Sequence, residues 1–298
     1  MKVPSSKYFI IMIGILGVVL FSAKAVMVKL AYQYDVSPVN LLMFRMLFSL
    51  PFYLIMIFIY KPDITQKRTK KDYLSLVLFG FLGYYLASFF DFWGLGFIKA
   101  SIERVILFIY PTIVIILSKL FLKRPISKVQ IIAIALTYIG VVIAFWDDFS
   151  VEGSAFLIGA TLIFLSALTY ASYLVGSDWL IPKFGVITFT SYAMIVSCIC
   201  VVVHYLIFER TSLFGYHQNV YWLGLAMAFL STVIPSYLVS WTIKKIGAPD
   251  FSILGSIGPI STIILASIFL DEKITVLQII GTLIVISGII IISKNKKL

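Results

Sequence analysis

Residues 93–140 read WGLGFIKASIERVILFIYPTIVIILSKLFLKRPISKVQIIAIALTYIG, and residues 241–288 read WTIKKIGAPDFSILGSIGPISTIILASIFLDEKITVLQIIGTLIVISG. The second segment lies on the first without a gap at an offset of 148, and fifteen of the 48 positions are identical. In a chain that is 61% hydrophobic, shared Ile and Leu carry little weight. Trp93 with Trp241, Ala100 with Ala248, Pro111 with Pro259, Phe121 with Phe269, Gln130 with Gln278 and Gly140 with Gly288 are harder to obtain by chance. Two copies of one unit therefore build the chain, which constrains the architecture before any element is placed.

Mean hydropathy is +1.06, and only 12% of the 298 residues are charged. A span needs roughly 20 predominantly apolar residues to cross about 30 Å of hydrocarbon. By that rule the sequence predicts about ten transmembrane helices, near 8–31, 37–60, 73–95, 98–120, 127–146, 154–178, 186–208, 219–243, 248–270 and 274–293. A transmembrane barrel needs polar-inward alternation, which runs such as Ile279 to Ile292 lack. The expected fold class is an all-α integral membrane protein. Lys2 and Lys7 precede an apolar run in the manner of a secretory signal. That run exceeds 20 residues, contains Lys24 and Lys29 and lacks a small-residue cleavage pattern, so it reads as the first span. Cys198 and Cys200 point to nearly opposite sides of the seventh span, which favours neither a disulfide nor a metal site. They read as small apolar packing residues.

The net charge of +11 raises nucleic acid as a partner, and its distribution argues against that. With the amino terminus inside, the inner segments collect Lys2, Lys7, Lys61, Lys67, Arg68, Lys70, Lys71, Lys123, Arg124, Lys128, Lys183, Lys244, Lys245, Lys294, Lys296 and Lys297. The outer segments hold Lys99, Arg210 and Lys273, with Lys29 near an outer end. This asymmetry follows the positive-inside rule and predicts a multi-pass protein with both termini cytoplasmic. Anionic lipid headgroups are a sufficient partner for the lysines.

Five spans per copy is an odd number, so the second copy is expected to enter the bilayer upside down relative to the first. Copy one is read as 8–146 and copy two as 154–293, joined by an outer acidic turn with Asp147, Asp148 and Glu152. Lys123-Arg124-Pro125 after the fourth span faces inside, and its counterpart Asp271-Glu272-Lys273 faces outside. Inverted repeats of this kind recur in secondary transporters.

Two stretches carry a family resemblance. Residues 100–111, Ala-Ser-Ile-Glu-Arg-Val-Ile-Leu-Phe-Ile-Tyr-Pro, and the Leu-Asp-Glu-Lys-Ile-Thr…Gln…Gly pattern over 270–281 resemble the drug/metabolite transporter superfamily, in particular its EamA-type bacterial members. The resemblance covers nearly the whole chain. It implies two five-helix halves and a cavity lined by the first, third, fourth, sixth, eighth and ninth spans, with the fifth and tenth packed peripherally. It implies transport of amino acids, nucleotide-related metabolites, drugs or other small solutes. Many relatives have Glu after the fourth span where this chain has Arg124, whereas Glu272 keeps the pattern after the ninth.

An ionisable group at mid-bilayer costs at least about 2.5–3.5 kcal/mol on insertion scales, so each retained one needs a partner, water or a task. Lys24, Arg45, Asp91, Glu103 and Arg104 fall within spans, all roughly 6–12 Å below the outer surface by helical rise. Four consecutive helices thus place three cations and two carboxylates in one layer. Pairing Arg45 with Glu103 and Lys24 with Asp91 would leave one positive charge over. The layer reads as structural ion pairs, as an outer gate or as direct substrate contacts, with Glu103 or Asp91 as a candidate proton-coupling acid. Lys119, near an inner end, reads as snorkelling.

In copy two the positions of Glu103 and Arg104 hold Phe251 and Ser252. Its spans offer hydroxyls and aromatics instead, among them Ser166, Tyr170, Tyr173, Ser231, Ser236, Tyr237, Ser240, Trp241, Ser252, Ser256 and Ser261. Ser236 with Ser240 and Ser252 with Ser256 share helix faces. The serines suit close helix packing, while Tyr170, Tyr237 and Trp241 suit an amphipathic cavity or the membrane interface. Pro111, Pro235 and Pro259 each remove a helix hydrogen bond and are candidate hinges.

Phosphate-binding Gly-Lys-Ser/Thr loops, His-Glu-x-x-His sites and a soluble nucleotide-hydrolysing domain are all absent from the sequence. His204 and His217 lie far apart and read as structural or exposed. The expected function is a cofactor-free secondary transporter, in the direction of export by the family resemblance, of small metabolites such as amino acids across the bacterial inner membrane by alternating access. Its expected partners are a small-molecule substrate, the lipid bilayer and a coupling proton, with no nucleic acid, in a monomer or weak homodimer. Two other readings use the same buried charges, a membrane-embedded enzyme and a lipid-headgroup flippase.

Overall fold

The computed structural model describes residues 7–60, 68–144, 146, 154–209, 211–270 and 273–295. These residues form ten helices. They are α1 (Lys7–Tyr32), α2 (Pro38–Ile59), α3 (Lys70–Leu95), α4 (Ala100–Leu107 continued by Tyr110–Leu122), α5 (Lys128–Ala144), α6 (Ser154–Phe184), α7 (Val186–Glu209), α8 (Gln218–Ile246), α9 (Ala248–Leu254 continued by Ile257–Phe269) and α10 (Val276–Asn295). All ten coincide with the predicted spans. The largest difference is α6, which continues past residue 178 because Leu180 and Ile181 are fully buried and keep the helix packed. Eight of the ten are long and apolar enough to cross a membrane, and α5 and α10 are shorter apolar helices. The acidic turn with Asp147, Asp148 and Glu152, the Asp271-Glu272 pair, Arg210, and Lys2, Lys61, Lys67, Lys296 and Lys297 lie outside the described residues.

Both copies start their last helix in the same way. Ser127 caps α5, its Oγ accepting from Gln130 N (3.1 Å) while Gln130 Oε1 accepts from Ser127 N (3.0 Å). Thr275 and Gln278 repeat this reciprocal box at the start of α10, with 3.2 and 3.0 Å. The recurrence of Gln at 130 and 278 therefore has a local cause, satisfaction of two orphan amides at a helix start.

The repeat also extends upstream of Trp93 and Trp241. A π-helical stretch at Phe81–Leu86 in α3 matches one at Phe229–Val233 in α8 at the same offset of 148. Farther on, α4 is interrupted at Phe108 and Ile109, and α9 at Gly255 and Ser256, again equivalent to within a residue. Each interruption lies just before its proline, Pro111 or Pro259, whose missing N–H cannot continue the ladder. Pro235 likewise begins the α-helical part of α8 that follows its π-helical stretch.

The peripheral pair α5 and α10 packs backbone to backbone. A Cβ on Gly140 would lie 2.6 Å from the Gly281 carbonyl oxygen, and one on Gly288 would lie 2.9 Å from that of Ala133. Gly140 corresponds to Gly288 and Ala133 to Gly281, so one contact repeats the other by pseudo-symmetry. Small residues permit this approach, which in lipid is a main source of helix association. Gly281→Leu should force the pair apart and lower stability by about 1–3 kcal/mol, the range for overpacking. A thermal melt in detergent checks this, and an unchanged midpoint would mean that the contact does not hold the pair together.

One face of the molecule collects the starts of α1, α3, α5 and α9 with the ends of α4, α6 and α8. Phe9 packs edge-on to Trp241, Asp72 pairs with Lys183, Arg124 with Asp178, and Gln130 bonds Asp250. Helices α1, α3 and α4 therefore run opposite to their counterparts α6, α8 and α9. One large hydrophobic core, from Ile10 to Ile289, runs through both copies, with a small second cluster of Ile115, Ala133 and Ile253 beside it.

Candidate functional site

Helices α1, α3 and α4 each bring charge to one buried cluster. Lys24 Nζ is 2.6 Å from Asp91 Oδ2, with both side chains almost wholly buried. Arg104 Nε is 3.0 Å from Oε2 of its neighbour Glu103, without the alignment of a hydrogen bond, and Arg104 Nη2 donates to the Ser22 carbonyl at 3.4 Å. Each carboxylate of the cluster has its own cation. The expected Lys24 and Asp91 pair is thus present, whereas Glu103 pairs with Arg104 and not with Arg45. Glu103 and Arg104 are adjacent at the start of α4, so the short local pairing prevails over one to another helix.

Arg45 sits apart from these ion pairs, between α3 and α8. Its Nε donates to Thr232 Oγ1 (2.7 Å) and its Nη1 to Ser88 Oγ (3.2 Å), and the guanidinium carbon is 5.5 Å from the centre of the Phe92 ring. Thr232 belongs to the π-helical stretch of α8, and its hydroxyl reaches back to the Met227 carbonyl five residues earlier (2.9 Å), the spacing that a π turn opens. Ser236 is hydrogen-bonded to Tyr53 (2.9 Å) and Tyr237 to Ser191 (2.7 Å), while Thr190 donates to Ser240 (2.8 Å). Ser88 and Ser236 are equivalent in the repeat, so the same position in each copy accepts a partner from α2 or binds one there.

Next to the charged cluster, a small cavity of about 40 Å³ lies between the copies. Val18, Phe21 and Ser22 of α1, Arg104, Leu107, Phe108 and Tyr110 of α4, Tyr170 of α6, Val239 of α8, and Phe251, Gly255, Gly258 and Pro259 of α9 line it. The interruptions of α4 and α9 therefore face each other across it. Tyr110 closes one side, donating its hydroxyl to the Ser252 carbonyl (3.2 Å) and resting against Gly255, where a Cβ would overlap that hydroxyl. Tyr170 stacks on Phe21 and meets Tyr110 edge-on. About 40 Å³ is room for a few waters and not for a metabolite.

Other expected lining residues stand elsewhere. Ser252 and Ser256 turn their hydroxyls back onto the Pro249 and Ile253 carbonyls of α9. Trp241 lies at the end of α8 between Phe9 and Lys245, away from the cavity. An amphipathic ring at a helix end suits the membrane interface.

Polar networks close both ends of the bundle. At the lysine-rich end, Asp178 takes both Arg124 Nη atoms (2.8 and 2.9 Å) and also accepts from Ala248 N (3.0 Å), capping α9. Gln130 Nε2 reaches Asp250 at 2.7 Å. At the opposite end the bonds are neutral, with Asn40 Nδ2 donating to Tyr216 (2.6 Å) and Thr211 (2.8 Å), and Asn219 donating to Tyr34 (2.6 Å). Sequence reasoning did not single out Asn40 or Asp178, because both depend on partners more than 50 positions away.

Comparison with known proteins follows from this geometry. The sequence profile of the EamA-like transporter family matches residues 8–146 and again 157–294. The chain belongs to this family, within the drug/metabolite transporter superfamily. The uncharacterized transporter YcbK of Bacillus subtilis (strain 168) is 30% identical over 271 residues, which cover 90% of this chain and 87% of YcbK. The uncharacterized transporter YyaM of the same organism is 26% identical over 241 residues, 80% and 78% of the two chains. A protein crystal structure superposes with a TM-score of 0.77 at 12% identity, covering 98% of this chain and 99% of that one, a likeness of fold alone. The protein is a multi-pass membrane transporter and not an enzyme.

Proposed function

We propose that this EamA-family transporter carries small organic metabolites, such as amino acids or related solutes, by alternating access, with export as the working direction. The observation that supports it best is the small cavity between the interrupted α4 and α9, at equivalent places in two copies that run in opposite senses. Exchanging the two local geometries between copies would open the cavity to the other side, the general logic of inverted repeats. Pro111, Pro235 and Pro259 stand where the helices already deviate, which suits hinges. The copies are taken as 8–146 and 154–293, with the lysine-rich end cytoplasmic in a bacterial inner membrane. A proton shared by Asp91 and Glu103 is the coupling ion in this reading. The protein works as a monomer or weak homodimer.

Purified protein in sealed liposomes tests the function. Vesicles loaded with labelled amino acids and related small metabolites should release one of them chemically unchanged, and faster under an opposing proton gradient. Release no faster than from protein-free vesicles across the whole set would overturn the transport reading. Release indifferent to the proton gradient would remove the coupling step alone.

A further inference from the structure

Arg45 is fully buried and has no carboxylate within ion-pairing distance among the described residues. A guanidinium has five N–H donors and is charged at every relevant pH. Here one goes to Thr232 and one to Ser88, and Nη2 has no acceptor among the described residues. Hydroxyl dipoles and the face of Phe92 ease its burial without neutralising it. With Asp91 and Glu103 both ionised, the four other charges of the layer, Lys24, Arg104, Asp91 and Glu103, balance in two pairs. The excess positive charge of the transport core is therefore this one side chain.

Its surroundings have a definite chemistry. Thr232 commits its proton to Met227, which leaves its oxygen to hold Nε. That fixes the plane of the guanidinium and leaves the edge formed by Nη1 and Nη2 with unused donors. Two parallel N–H bonds from such an edge match a carboxylate, the bidentate geometry for which arginine is suited. The Phe92 ring lies beside the guanidinium and is fully buried. The hydroxyls that hold Arg45 come from α3 of one copy and α8 of the other, each from a helix that carries a π-helical stretch. Movement of the copies against one another would therefore pull directly on this contact.

We propose that Arg45 is the recognition point for a carboxylate-bearing organic anion, which replaces Ser88 on Nη1 and takes up Nη2 as the copies part. This rests on the transport reading above and adds the class of solute. Bound, the anion cancels the excess charge, so the loaded carrier passes through the occluded state more easily than the empty one. Ser88 and Thr232 act as holders that keep the guanidinium in plane until the solute arrives.

The test uses the full chain in detergent and in liposomes with matched probes, the monocarboxylates from acetate to phenylpropionate and their neutral amides. At least one carboxylate should raise the melting temperature of the wild-type protein saturably, with its amide giving no shift. Arg45→Lys keeps the charge and loses the fork, and should weaken apparent affinity for that carboxylate by about ten-fold or more, as expected for loss of a charge-assisted hydrogen bond. Ser88→Ala should retain or tighten binding, because it removes the competing acceptor. Carboxylate shifts equal to those of the amides, or unchanged in a folded Arg45→Lys protein, would overturn the proposal. Flux of a neutral or cationic solute that is the same in wild type and Arg45→Lys would also overturn it while leaving the transport reading intact. Failure of all flux would instead count against transport itself.

Discussion

Replacing Lys24 with Met is expected to destabilise the protein by about 3–5 kcal/mol and to abolish transport, because it leaves the Asp91 carboxylate buried without its counter-ion. Both side chains are nearly free of solvent, and Lys24 Nζ lies 2.6 Å from Asp91 Oδ2, so loss of the ammonium leaves the carboxylate away from bulk water. Of the other cations in the layer, Arg104 is engaged with Glu103 and the Ser22 carbonyl, and Arg45 with Thr232 and Ser88. Asp91→Asn should be nearly as harmful for the mirror-image reason. The double variant Lys24→Met, Asp91→Leu removes both charges and should recover most of the lost stability, since a buried pair is worth little more than an apolar pair of similar volume. If the pair also works in transport, the double variant will be folded and inactive. Melting temperatures and liposome flux measured on the three variants separate the two roles. A double variant as unstable as Lys24→Met would contradict the balance of terms argued here.

Much of this architecture is legible in the sequence because membrane insertion leaves few choices. Backbone polar groups in hydrocarbon have to be satisfied within a helix, so apolar length alone locates the elements. The repeat then gives the pairing of elements, since Trp93 with Trp241 and Pro111 with Pro259 mark equivalent helices. The Lys24 and Asp91 pair follows from depth, because both lie at similar distances from the same end. Arg45 with Glu103 satisfies the same criterion and does not form, since depth says nothing about rotation around a helix axis. The two π-helical stretches have a sequence signal as well. Phe81, Leu82 and Ser88 match Phe229, Leu230 and Ser236 at the offset of 148, upstream of the stretch that first reveals the repeat. The closing networks at the two ends are the least legible part, because they join helix ends whose proximity only the packed bundle defines.

Arg124→Glu is expected to unlock the lysine-rich end. In this chain it would set a second carboxylate against Asp178, which now holds both Arg124 nitrogens and caps α9 through Ala248 N. Arg124 itself is half-exposed and Asp178 is buried, so solvent screens one partner and much less the other. After that discount, exchanging attraction for repulsion should shift the equilibrium between closed and open forms by about 1.4 kcal/mol, a ten-fold change in population. A cysteine introduced at Ser22, on the wall of the cavity, reports it. With Cys198 and Cys200 replaced by serine, its labelling by a water-soluble thiol reagent should accelerate about ten-fold in Arg124→Glu. Asp178→Asn keeps the acceptor that caps α9 and should accelerate it less than Asp178→Ala, which loses cap and charge together. Equal acceleration by these two variants would mean that charge alone holds this end shut. Equal labelling in all variants would mean that the Arg124 and Asp178 contact is a passive surface pair with no part in access to the cavity.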